Sequence, residues 1–136
     1  MARREEFVRM AELIVLADKD YLALARTSAM QVATLLDLPL PEVADLRLAV
    51  DEACTSFLVA APGRRIEPAE VTGAKLRLCY DRYPDRLEVV VRSEAPPMWP
   101  AQYEIGWEVL RAAVGQVRAD VVDGIGILTL VMPLPN

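Results

Sequence analysis

Asp45-Leu-Arg-Leu-Ala-Val-Asp-Glu-Ala-Cys-Thr-Ser-Phe-Leu58 places Leu46, Val50, Ala53 and Phe57 three and four residues apart, with Val43 one turn earlier. That spacing lines one face of a helix with apolar side chains. Pro41 followed by Glu42 suits a first turn, where proline's missing N–H costs nothing, so a helix is predicted from Pro41 to about Ala61. Upstream, Leu38-Pro39-Leu40-Pro41 interrupts an earlier helix. Leu22, Ala25, Ala29, Val32, Ala33 and Leu36 recur at helical spacing, which predicts that helix from about Asp20 to Asp37, capped by Asp18 or Asp20. Before it, residues 10 to 17 form a short apolar run with β-branched centres, read as a strand that follows a tail over residues 1–9.

Downstream of the quoted stretch, Pro62 to Gly73 is a polar loop. Leu76, Leu78 and Tyr80 then alternate with Lys75, Arg77 and Cys79, and Leu87, Val89 and Val91 alternate with Arg86, Glu88 and Arg92. With Tyr83-Pro84-Asp85 as the turn between them, these predict a hairpin with one wet face. The segment from Ser93 to Gln102 holds three prolines, Pro96, Pro97 and Pro100, and is predicted irregular. A helix from about Tyr103 to Val114, a strand from Gln116 to Val122, an Asp123-Gly124 turn and a strand from Ile125 to Met132 complete the chain. The order is β-α-α-β-β-α-β-β. Helices and strands that must share one apolar face imply an α+β fold, a two-layer sandwich of a five-stranded mixed sheet with three helices on one side. Residues 10–136 are read as a single domain.

The chain has 136 residues, 54% of them apolar, enough for one core that hides roughly two-thirds of the unfolded surface. It contains no histidine, which excludes a Ser-His-Asp triad, a histidine base and the common zinc sites, and no metal site is expected. Cys54 falls in a helical pattern and Cys79 in a strand pattern, so both are read as small buried side chains. The net charge is −5, and the fifteen Lys and Arg are scattered, which argues against direct nucleic-acid binding. No run reaches the roughly 18 apolar residues of a membrane span, and a soluble, cytoplasmic protein is expected.

From Leu46 to Thr55 the central helix resembles the N-box of the GHKL ATPase superfamily, and within it the bacterial anti-sigma-factor serine kinases of the RsbW and SpoIIAB type, whose helix carries Ala-Val-x-Glu-Ala-x-Thr-Asn. The element order extends the likeness over nearly the whole chain. In that family the glutamate orients or deprotonates the nucleophile, and the asparagine four residues later gives an oxygen to magnesium. Spacing of four residues places both on one helix face about 6 Å apart. Glu52 matches the glutamate and Ser56 stands at the asparagine; without the magnesium partner Glu52 is expected to be a helix-surface acid stacked with Asp51 and Asp45 on the wet side, a surviving general base being the alternative. The family's Asp-x-Gly-x-Gly adenine loop corresponds to Ser93, Ala95 and Pro97, which lack the carboxylate and the glycines. Its glycine-rich lid corresponds to Met98 through Gly106, with Glu104 where a glycine is expected and Gly106 retained. Its Gly-Thr corresponds to Gly126-Ile127.

If each departure removed one hydrogen bond of about 1 kcal/mol, nucleotide affinity would fall several hundredfold to a few thousandfold. The resemblance therefore implies a degenerate ATP site, with no cofactor expected. ATP and magnesium enter only on the alternative reading of an active serine/threonine kinase that phosphorylates an STAS-type anti-anti-sigma factor. Trp99 and Trp107 flank the shortened lid and are expected to fill the space a nucleotide would take, the alternative being an exposed partner patch.

The first helix is apolar over more than one face requires, because Leu24 and Met30 fall outside its stripe. In the family this helix, with an arginine matching Arg26, contacts the sigma factor and its antagonist. Tyr21, Leu24, Arg26 and Met30 are the expected partner-binding residues, and the resemblance implies a homodimer through the first strand. A third reading is an α/β adaptor of unrelated biology. The leading expectation is an anti-sigma factor that sequesters a sigma factor by binding.

Overall fold

The computed structural model describes residues 6–58, 73–100 and 105–135. In chain order they form β1 (Val8–Leu16), a single 3-10 turn (Lys19–Tyr21), α1 (Leu22–Leu35), α2 (Leu40–Ser56), β2 (Lys75–Arg82), β3 (Arg86–Glu94), α3 (Ile105–Ala113), β4 (Gln116–Val122) and β5 (Ile125–Pro133). The predicted end of α2 near Ala61, the loop from Pro62 and Glu104 lie outside the described residues.

β1 starts at Val8, before the apolar run, because Arg9 pairs with Asp81 on β2, at 2.8 and 3.2 Å. Asp18 accepts the amide of Asp20 at 2.9 Å, and the cap opens the 3-10 turn, so α1 itself begins only at Leu22. At the other end of α1, Asp37 takes φ 55, a left-handed conformation that an aspartate tolerates. The amides of Asp37 and Leu38 then reach the carbonyls of Thr34 and Ala33, at 3.0 and 3.1 Å, which satisfies two of the helix's last acceptors.

The strands run in the order β1-β2-β3-β5-β4, and every neighbouring pair is antiparallel. The sheet is thus antiparallel rather than mixed. Two helices between β1 and β2 give three chain reversals, an odd number, so β2 returns antiparallel to β1. β3 and β4, joined through α3, do run the same way, but β5 lies between them and pairs antiparallel with both.

Ala25, Ala29, Val32 and Ala33 of α1 and Leu46, Ala49, Val50, Ala53 and Cys54 of α2 are buried against one sheet face. That face presents Leu76, Leu78, Tyr80, Leu87, Val89, Val91, Leu128, Leu130 and Met132. The Tyr80 hydroxyl keeps a partner in the core, Ser28 of α1 at 2.7 Å.

The opposite face is less wet than alternation suggests. Cys79, Asp81 and Glu88 on it are buried. Arginines account for the two acids: Arg9 holds Asp81, while Arg86 and Arg118 hold Glu88 at 2.8 and 3.3 Å. Among the described residues no helix is long and apolar enough to cross a membrane.

Both cysteines are free and buried. Burial, and then the charge of Asp51, pushes the Cys54 thiol from its usual 9.0 up to about 12. The folded state therefore holds the protonated thiol, and its contribution to stability is complete below pH 9.0 and declines as pH rises from there towards 12. Alkylation of Cys54 by iodoacetamide at pH 8 is expected to follow global unfolding, and rapid labelling of the native chain would contradict its burial.

Candidate functional site

The residues matched to the family's nucleotide positions converge at one end of the sandwich. α2 supplies Glu52 and Ser56, the end of β3 supplies Ser93, the following turn supplies Ala95, Pro97 and Trp99, the first turn of α3 supplies Gly106, and β5 supplies Gly126. Strand register brings the distant ones together, since Ser93 lies directly opposite Gly126.

Glu52 is half-buried and faces α3. A Cβ built on Gly106 would lie 2.7 Å from its Oε2, so the glycine leaves the room that the carboxylate occupies. A carboxylate beside the first turn of a helix also meets the positive end of its dipole. Glu52 is therefore not stacked with Asp51 on the solvent side. Asp51 turns the other way, towards α1, where Arg26 Nη1 donates to its Oδ1 at 2.9 Å.

Ser56 Oγ is engaged twice: it donates to the Ala53 carbonyl at 2.7 Å and accepts from Trp99 Nε1 at 3.1 Å. The Trp99 ring stacks on Phe57, with centroids 4.6 Å apart and planes 20° from parallel. Both rings lie on Gly126. A Cβ there would come within 2.6 Å of Phe57 Cε1 and 2.9 Å of Trp99 Cζ3. Trp99 is 8% exposed and Trp107 5%, so both indoles are packed inward, as expected of space fillers. Ser93 is buried, and its Oγ donates to the Lys75 carbonyl at 2.8 Å. The Ala95 amide donates to the Gly124 carbonyl at 2.9 Å. Pro97 is exposed in a turn closed by the Trp99 amide on the Pro96 carbonyl, at 3.1 Å. No group of acids and cysteines among the described residues is placed to hold a metal ion.

The second candidate surface is the outer side of α1. Leu24 is 51% exposed and Met30 41%, and both project to solvent as their departure from the buried stripe predicts. Leu35, which periodicity did not single out, is also exposed, on the flank of Leu24 three turns away. Its distance from both of the residues that broke the stripe hid it. Tyr21 is half-buried and packs against the core. Arg26 is the one charge in α1, and its pairing with Asp51 leaves the outer side of the helix without an uncompensated charge.

A five-stranded sheet with three helices on one face, in this order, and an α2 glutamate beside the first turn of α3 are the arrangement that the GHKL resemblance implies. The chain is a homologue of the RsbW-type anti-sigma factors. It is 38% identical over 120 residues to the anti-sigma-F factor RsbW of Mycobacterium tuberculosis, in the sequences of strains CDC 1551 / Oshkosh and ATCC 25618 / H37Rv alike. The match covers 85% of this chain and 64% of those relatives, so the chain spans less than two-thirds of their length. No family profile matches it.

Proposed function

We propose that this protein is an anti-sigma factor that works by stoichiometric capture of a sigma factor, and that its nucleotide cleft is closed. The homology to anti-sigma-F factors supports the partner class. The observation that carries the closed cleft is Trp99, lying on Gly126 and Phe57 with its N–H on Ser56. A magnesium ion at the N-box would need the Ser56 oxygen that the indole occupies, and a nucleotide would need the volume of the ring. Ser93, spending its hydroxyl on Lys75, offers no carboxylate to an adenine amino group.

Capture then falls to the outer side of α1, where Leu24 and Leu35 lie on one flank and Met30, next to Arg26, on the other. Its exposed apolar side chains and its one paired charge let a partner cover it without burying an uncompensated charge. An STAS-type anti-anti-sigma factor competing for overlapping surface would release the sigma factor. Titration calorimetry with magnesium-ATP is the test of the closed cleft. No saturable heat is expected at millimolar nucleotide, and micromolar binding would overturn that part of the reading while leaving sigma capture standing.

A second reading, an active kinase acting on the anti-anti-sigma factor, draws on Glu52 alone, which keeps its place beside Gly106. It requires phosphate transfer that Glu52→Ala abolishes.

A further inference from the structure

β5 reads Ile-Gly-Ile-Leu-Thr-Leu-Val-Met from residue 125 to 132, so it is apolar on both sides but for Thr129. A strand with one wet face alternates, whereas a near-continuous apolar run marks a strand covered on both faces. The helices cover only one face of β5. Leu128, Leu130 and Met132 lie under them and are buried, while Ile125, 37% exposed, and Ile127, Thr129 and Val131, all half-buried, lie on the open face. Val90 of β3 pairs with Thr129 and widens this strip at its middle. β5 sits between β3 and β4, inside the sheet. Its backbone groups are therefore spent on its neighbours, and whatever covers the strip must bring a backbone satisfied within itself, as a helix does.

Charge on the open face is uneven beside the strip. Arg77 of β2 stands directly opposite Arg92 of β3, a like-charge pairing that works against stability. Arg77 Nε donates to Glu12 at 2.8 Å, but Arg92 has no bonding partner among the described residues. Four residues along, the same two strands oppose two acids, Asp81 and Glu88, and there three arginines supply the opposite charge. Glu88 lies between Arg86 and Arg118, at 2.8 and 3.3 Å. The face thus contains one carboxylate gripped by two guanidinium groups, and a second pair of arginines short of such a group.

We propose that the open face of the sheet is a docking surface for an acidic amphipathic helix of a partner protein. The helix lies along β5, its apolar stripe on Ile125, Ile127 and Val131, and a carboxylate on its edge enters between Arg77 and Arg92. On the other flank of β5, Asp120 of β4 pairs with Ile127, so the acidic edge of the helix faces β3 and its opposite edge carries no acid there. Glu12, Glu94 and Asp120 stand around the strip and oppose a uniformly anionic surface such as a lipid headgroup layer. The site is across the sheet from α1, so it does not depend on capture of a sigma factor there, and both surfaces can be covered at once.

Methyl NMR on the full chain tests this, with a synthetic helical peptide of about sixteen residues as the probe, long enough to hold a helix, with leucines on one face and glutamates along one edge. Saturable shifts are expected at Ile125, Ile127 and Val131, with Leu24 of α1 unmoved. Glutamine in place of the peptide's glutamates should weaken binding about tenfold or more, and so should Arg92→Glu in the protein. A melting curve confirms that Arg92→Glu is folded, and if it is not, the glutamine peptide on the native chain decides. No saturable shift, equal affinity for the glutamine peptide, or shifts on α1 in place of β5 overturns the proposal. Inorganic phosphate or phosphatidylglycerol vesicles that move the same methyls as readily as the peptide also overturn it, since the face would then serve a bare anion or a membrane.

Discussion

Replacing Trp99 by alanine is expected to destabilise the domain by about 3–5 kcal/mol, the usual range for deleting a buried tryptophan. For a chain of this size that lowers Tm by about 10–20 °C. Three losses combine at one place. The ring's burial disappears, Phe57 loses the partner stacked 4.6 Å away, and Ser56 loses the donor at 3.1 Å. The cavity opens over Gly126, where there is no side chain to collapse into it. Trp99→Phe should retain much of the stacking and cost about 1–2 kcal/mol, chiefly for the unfilled volume and the lost N–H bond. Thermal denaturation of both variants is the measurement. A Tm for Trp99→Ala within 2–3 °C of native, roughly the shift of a surface change, would show that the indole is not part of the core and would remove the main support for a closed cleft.

Loss of sigma-factor capture is the second large expected effect. The double substitution Leu24→Glu with Met30→Glu places two carboxylates on the outer side of α1, each of which a covering partner would have to desolvate. Affinity for the sigma factor is expected to fall about 10²–10³-fold, in line with loss of central interface anchors. Folding should be nearly untouched, because both side chains are exposed and such sites change stability by about 0.5 kcal/mol each. Calorimetric titration of the two proteins, beside a melting curve of the variant, separates the effects. Undiminished affinity would move the binding surface off α1. Arg26→Ala is a poorer probe, because it also breaks the pair with Asp51. That pair is partly exposed, and its worth to stability is about 0–1 kcal/mol.

Alternation and helical spacing carried most of the architecture. The stripe of Leu46, Val50, Ala53 and Phe57 is buried as a stripe, and Leu76, Leu78 and Tyr80 point inwards while Lys75 and Arg77 do not. Periodicity reads these well because each depends on a single element having one dry side. Its failures are equally physical. Cys79, Asp81 and Glu88 occupy the nominally wet side of the hairpin, yet they are buried, because arginines from β1, β3 and β4 cover the acids. The positions of Arg9 and Arg118 on strands outside the hairpin depend on how the sheet is assembled, which the hairpin's own pattern does not contain. In the same way, the antiparallel sheet follows from β5 entering between β3 and β4, and strand order is not written in any one strand.

What the sequence by itself determined is the set of elements, the residues each one buries, and the N-box likeness with its departures, since all of these are properties of neighbours along the chain. What only the tertiary structure decided is where separated segments meet: that Glu52 turns to Gly106 and Asp51 to Arg26, that Trp99 closes over Gly126 onto Ser56, and that β4 is left at an edge. The reason is that helical and strand periods specify the direction of a side chain relative to its own element, whereas the identity of what it touches is set by the packing of elements against one another, a choice made by the whole core at once.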